Sequence, residues 1–357
     1  MGIQDSKKIR IKDIATHAKV SSGTVDRVLH NRGEVKEETR KKVLSVINKF
    51  GYTPNLLAKS LASRKIHSIA AIIPDASDNN PYWNKPLIGL REASAEVKDF
   101  NTEVTIFTFN ATDESSFRKV MKEVLDKKPE GVVFDPVFKE ASLDFIEILD
   151  ALNIPYVYID IDLDKGNNLA YFGQDAERSG YAAAKLMHYA LQKSSVILVV
   201  KLADRKAITR HLNLREQGFN RYFKEKYPDA QPTVISVEID LLEQSEPHNS
   251  LNKIFREGKN IGGIFVPNSR VFKVAEFLES AGMNDIVLIG YDLIEKNIHF
   301  MEKEVIDFII SQKPEEQGYK GLMALFNYIH KKRVETKINN SPIDIIMKEN
   351  IDYYKNF

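Results

Sequence analysis

The chain contains no cysteine among its 357 residues, which excludes disulfides, a thiolate nucleophile and any cysteine-ligated metal. Long apolar runs are missing as well. The longest holds five residues, as in Ile69 to Ile73, against the roughly 20 that a membrane-spanning helix needs. The amino-terminal stretch MGIQDSKKIRIKDIATHAKV has no apolar segment followed by a small-residue cleavage site, so no secretory signal is visible and a cytoplasmic location is expected. Walker A, GxGxxG, GxSxG and HExxH patterns are absent, which removes the specific signatures of several enzyme chemistries. A carboxylate acid-base pair stays open, because proximity is invisible in sequence. The eight histidines lie at least 13 residues apart, so none pairs with another within a helical turn as a local metal motif requires. Single histidines such as His188 and His211 therefore read as structural or solvated. What remains, 43% hydrophobic and 28% charged residues, is the composition of an ordinary globular protein of about two domains.

The net charge of +1 hides an asymmetry. Residues 1 to 66 carry 15 Lys and Arg against 6 Asp and Glu, a net of +9, whereas the other 36 basic and 44 acidic side chains leave −8. A basic head on an acidic body suggests a polyanion-binding module attached to a domain with another task. In the head, Lys12 to Ala18 and Ser22 to His30 form two short candidate helices across a Lys19-Val20-Ser21 turn, with Ser21 placed to cap the second. That pattern predicts a helix-turn-helix. A third helix is expected from about Glu37 to Phe50, where Val43, Val46, Ile47 and Phe50 make an apolar stripe and Gly51 follows as a stop. Beyond Pro54, NLLAKSLASRK has helix-forming residues but too few turns to be stable without a partner. From His67 onward, strand-like runs such as SIAAII (68 to 73), GVVF (131 to 134), PYVYI (155 to 159) and DIVLIG (285 to 290) alternate with helical stretches. Repeated β-α units imply parallel sheets covered by helices on both faces. The stretch is long for one sheet, so two α/β lobes with a ligand in the cleft are expected.

The stretch from Ile11 to Arg64, with its D-I-A, V-S-x-x-T-V-x-R-V, T-R-x-x-V and G-Y-x-P-N-x-x-A-x-x-L elements in register, resembles the DNA-binding segment of the LacI/GalR family of bacterial transcription regulators. The resemblance implies an α/β fold class: an all-α helix-turn-helix headpiece (1–53), a hinge helix (54–64) and a two-lobed periplasmic-binding-protein-like effector domain with parallel sheets (65–357). Lobe one would comprise about 66–174 and 312–338, and lobe two about 175–311 and 339–357. Ser21, Ser22, Gly23, Thr24 and Arg27 then fall on or beside the helix that enters the major groove. Arg27 can reach guanine or a phosphate, and the hydroxyls can reach the DNA backbone. Gly23 departs from the usual long side chain there. Asp26 is also unusual, and suits either cytosine N4 or a neighbouring cation. The hinge would meet its symmetry mate in the minor groove, with Asn55, the wedge residue Leu61 and Ala62 at the DNA.

The body resembles the ribose-binding group of the same fold, and the resemblance carries over position by position. Asn80, Tyr82 and Trp83 repeat its loop after the first strand, with the aromatics stacking on a sugar. Asp135 stands in for a usual Asn, Asp160 ends PYVYID as a hydroxyl-binding acid, and Arg215 (R-x-x-G-F), Asn268, Asp292 and Gln312 complete the set. Ile161 replaces a usual Arg, so ribose is not implied, and Asp162 is a further candidate for the ligand. Carboxylates accepting from hydroxyls, Arg and Asn donating, and an indole on C–H surface suit a polyol. The expected protein is a homodimeric, sugar-responsive repressor of operator DNA that needs no cofactor, no metal and no membrane. A nucleobase-sensing member of the family, or a sugar-processing α/β enzyme, is the alternative.

Overall fold

The computed structural model describes residues 9–29, 32–50, 52, 65–76, 81–191, 195–203, 210–230, 232–241, 246–331 and 336–354. The chain divides into two units, Met1–Lys65 and Ile66–Phe357. In the first, α1 (Ile11–Ala18) ends where Lys19 turns left-handed at φ 53° and donates its N–H to the Ala15 and Thr16 carbonyls. The reversal lets α2 (Ser22–Leu29) and α3 (Glu37–Phe50) fold back onto it. Ile14, Ala15, Ala18, Val25, Val28 and Val43 form the buried core, with Val46, Ile47 and Phe50 packed against it. The expected stripe of α3 is thus its inward face. Ser21 Oγ accepts the Thr24 N–H at 3.1 Å, the expected cap of α2. His30, Gly51 and the segment 54–64 lie outside the described residues.

The second unit holds two parallel-stranded sheets of matching order. Strands β1 (His67–Pro74), β2 (Thr102–Phe109), β3 (Gly131–Phe134), β4 (Tyr156–Asp160), β5 (Ala170–Gly173) and β11 (Ile338–Asn340) build one, in the order β2-β1-β3-β4-β5-β11. Strands β6 (Val196–Ala203), β7 (Val234–Asp240), β8 (Ile261–Phe265), β9 (Val287–Tyr291), β10 (Phe308–Ser311) and β12 (Asp344–Ile346) build the other, as β7-β6-β8-β9-β10-β12. Only the last strands differ, β11 running parallel to β5 and β12 antiparallel to β10. Alternate residues serve opposite faces of each sheet: Ala70 and Ile72 enter one core while Ile69, Ala71 and Ile73 enter the other. Both faces being covered, the strands read as continuous apolar runs, as parallel sheets do.

The chain passes between the lobes three times, near Gln174, Gln312 and Pro342. The third passage differs from the expected break at 338/339, because Ile338, Asn339 and Asn340 pair with Tyr171, Phe172 and Gly173 and so extend lobe one. A single side chain ties the three passages together: Gln174 Nε2 donates to Ser311 O at 3.0 Å and to Pro342 O at 2.9 Å.

Candidate functional site

Two surfaces carry polar chemistry. On the head, burial of Val25 and Val28 turns the opposite face of α2 outward, so Ser21, Ser22, Gly23 and Arg27 are exposed and Thr24 is half-buried. Arg27 folds along its own helix, Nε donating to the Gly23 carbonyl at 3.3 Å and Nη2 to Thr24 Oγ1 at 3.4 Å. Beside this face, Lys12, Thr16, Lys19 and Ser22 line an open concavity. Cations and hydroxyls around a helix whose side chains are free to leave the surface suit a phosphate-lined groove. Asn55, Leu61 and Ala62 lie outside the described residues.

On the body, acids cluster at the carboxyl ends of the strands, where open α/β sheets bind ligands. Asp135 follows β3, Asp160 ends β4 and Asp292 follows β9. Asp160 and Asp292 occupy matching places in the two sheets, and both are left-handed, at φ 62° and 67°. Short polar side chains tolerate that backbone, and holding it at a strand end turns each carboxylate toward the cleft. From lobe one, the Tyr82 hydroxyl donates to Asp160 Oδ1 at 2.7 Å, and the Tyr171 hydroxyl to the Asp160 carbonyl at 3.1 Å. From lobe two, Arg215 Nη1 donates to Pro267 O at 2.7 Å and Nη2 to Gln312 Oε1 at 2.5 Å, while Gln312 Nε2 donates to Asp292 Oδ2 at 2.8 Å. The guanidinium lies 3.8 Å from the Tyr291 ring centroid, and the Tyr291 hydroxyl contacts Ser179 Oγ at 2.9 Å. Arg215 is therefore aimed by its hydrogen bonds and by an aromatic platform.

Desolvation dominates the electrostatics. Burial, then the neighbouring Asp160 charge, pushes the Asp135 carboxyl well above the ordinary range. Burial raises Asp160 against the opposing Tyr82 hydrogen bond and Arg215. Asp292 is pushed up to about 7 by burial, with Arg215 and the Gln312 hydrogen bond working against it. His211 is lowered to about 3, first by burial and then by the Arg215 and Arg270 charges, so its imidazole is neutral. Both Asp135 oxygens, Asp292 Oδ1, Arg215 Nε and His211 Nδ1 are buried without a protein hydrogen bond. Such atoms carry a large desolvation cost unless something else occupies the cleft.

Tyr82, Asp135, Asp160, Arg215, Asp292 and Gln312 are brought together, each close enough to share hydrogen bonds or charge with another. Three expected residues differ in emphasis. Gln312 bridges Arg215 and Asp292, its Oε1 accepting from the first and its Nε2 donating to the second. Asn268 caps the turn after β8, its Oδ1 accepting from Arg270 N at 3.1 Å and its Nδ2 donating to Leu202 O at 2.6 Å. Trp83 is only 6% exposed, packed in the lobe-one core and edge-on to Tyr82 with ring centroids 4.9 Å apart. Asn80 lies outside the described residues. The Asp162 carboxylate accepts from Asp164 N at 3.0 Å in its own loop, while its backbone carbonyl accepts from Arg210 Nη1 at 3.0 Å and Arg210 Nη2 reaches Asp164 at 3.5 Å. Sequence reasoning missed Tyr171, Tyr291 and His211. The signal for His211 was its place four residues before Arg215, one turn away on the same helix face.

A helix-turn-helix head joined to a two-lobed binding-protein fold, with buried polar groups at the lobe junction, defines a class of protein. Residues 69–333 match the periplasmic binding protein domain and residues 10–55 match the bacterial regulatory proteins of the lacI family. The chain belongs to that family. It is similar to the HTH-type transcriptional regulator RegA of Clostridium acetobutylicum, 29% identical over 185 residues that cover 52% of each chain; it thus spans about half that relative's length. It is also similar to the ribose operon repressor of Lactococcus lactis subsp. lactis, 25% identical over 346 residues, 96% of this chain and 97% of the relative. A crystal structure from Bacteroides fragilis, of a chain assigned as a LacI transcriptional regulator, has 29% identity and a TM-score of 0.76 over 81% of this chain and 100% of that one. No helix among the described residues is long and apolar enough to cross a membrane.

Proposed function

We propose that this chain is a cytoplasmic, homodimeric repressor that binds operator DNA through its head and releases or grips it according to a sugar-class effector in the cleft. The observation that carries the reading is the set of buried, unpartnered donors and acceptors where the two lobes meet, held on the same chain as an exposed polar helix in a segment of net charge +9. Groups of both polarities, deeply buried and left without partners, suit a hydroxyl-rich molecule that both donates and accepts. Closure of the lobes on such a ligand favours one dimer geometry by its differential affinity for that geometry. Paired heads would meet paired half-sites, with Arg27, Ser22 and Thr24 at the major groove and Leu61 at the centre.

The test separates head from sensor. Deleting residues 1–64 should abolish operator binding in a mobility-shift assay and leave effector binding intact. In the full chain, operator affinity should fall steeply with salt, with a log-log slope of several units from released counterions. Arg215→Ala should weaken effector binding by about 2–5 kcal/mol, because truncation strands its partners, with operator affinity in the absence of effector unchanged. Operator binding by the truncated body would sink the division of labour.

A further inference from the structure

Among the described residues, the lobe-one wall of the cleft presents the acids Asp135 and Asp160, and no lobe-one cation acts on either. Asp135 is 0% exposed with both carboxylate oxygens unpartnered, and Asp160 lies close enough for the two charges to oppose each other. The residue after Asp160 is Ile161, 4% exposed and apolar. Among the described residues, the cation that acts on Asp160 is Arg215 of lobe two, which uses two of its nitrogens on Pro267 and Gln312. Its buried Nε has no partner, nor has the neutral His211 on the same helix at Nδ1. The cleft therefore holds unmet carboxylate oxygens on both walls, Asp135 on lobe one and Asp292 Oδ1 on lobe two, with the Arg215 Nε as an unmet donor on the lobe-two side.

We propose that the effector is an amine-bearing polyol, an amino sugar or aminocyclitol, whose ammonium sits on Asp135 while its hydroxyl or ring oxygens face Arg215. This rests on the sugar-sensing reading and narrows it. An ammonium brings three donors and a positive charge on one atom, so it can meet both Asp135 oxygens and relieve the like-charge pair at once. A neutral hydroxyl leaves either an added proton on Asp135 or two buried like charges. A phosphorylated or acidic sugar adds to the repulsion.

Matched probes test the charge apart from stereochemistry. Tris, cationic at pH 7, and pentaerythritol share one branched skeleton and differ by an ammonium in place of a hydroxymethyl group. Glucosamine, galactosamine and mannosamine pair in the same way with their parent hexoses. Thermal shift and calorimetric titration of the full chain in a zwitterionic buffer should show the amine of at least one pair binding about tenfold or more tightly than its neutral partner. The isosteric Asp135→Asn should remove or invert that preference, and its unliganded melting temperature, expected at or above wild type, reports that it folds. Equal binding within every pair, tighter binding of hexose 6-phosphates, or an amine preference that survives Asp135→Asn overturns the proposal and leaves the sugar-sensing reading standing. If no probe shifts the melting temperature, and a wider panel of sugars also fails, both readings fall.

Discussion

Gly23 occupies the exposed face of α2, where an added Cβ would meet nothing nearer than Ser21 Oγ at 3.7 Å. Its backbone is helical, so glycine gives no conformational benefit there and costs helix stability. Gly23→Ala should stabilise the head by about 0.5–1 kcal/mol, read as a higher unfolding midpoint of that unit. A lower midpoint would mean that the face is not open. In the cleft, the sign of the pH dependence follows from burial. The Asp292 carboxyl titrates at about 7 in the folded chain against 3.8 ordinarily, so its contribution to stability is complete below about pH 4. That contribution is lost as pH rises toward and through 7, a loss of order 4 kcal/mol at full ionisation. Thermal unfolding of the ligand-free protein between pH 5 and 8 should show a falling midpoint, and Asp292→Asn should flatten the fall.

Helices set the position of the site as much as strands do. The helix Arg210–Lys226, which carries His211 and Arg215, crosses the helix Ala176–Ala190 so closely that a Cβ on Gly218 would stand 1.8 Å from the Glu177 carbonyl oxygen. The glycine of R-x-x-G-F is thus a packing requirement that fixes where the arginine points. Gly218→Ala should cost about 1–3 kcal/mol or more of stability from overpacking and weaken effector binding with it; calorimetry and titration on one sample would show the two losses together. This also explains what could be read in advance. The alternating pattern reveals the sheets, and acids just past strand ends reveal Asp160 and Asp292, because both signals are local in the chain. The engagement of Gln312 and Asn268 within lobe two is not local. Their partners lie 97, 20 and 66 residues away, and an amide's choice among distant partners leaves no trace in spacing. Trp83 is ambiguous in sequence for a related reason: an aromatic beside Tyr82 suits a ligand platform and a core position equally, and its packing in the lobe-one core is set by residues distant in the chain.

At the scale of the whole molecule, the body is two copies of one strand order joined by three passages of chain. Gln174, whose amide hydrogens are both used on the other two passages, holds them side by side. Gln174→Leu should strand the Ser311 and Pro342 carbonyls and destabilise the body by about 1–3 kcal/mol, with a measurable rise in hydrogen exchange around residues 311 and 342. Unchanged exchange there would remove Gln174 from any role in coupling the lobes. The pin has a kinematic consequence. Three straps held side by side by one amide oppose sliding of one lobe past the other and favour bending at the straps. With bending as the favoured direction, a weak ligand and a strong one are expected to differ in how long they hold the lobes closed rather than in the shape they impose.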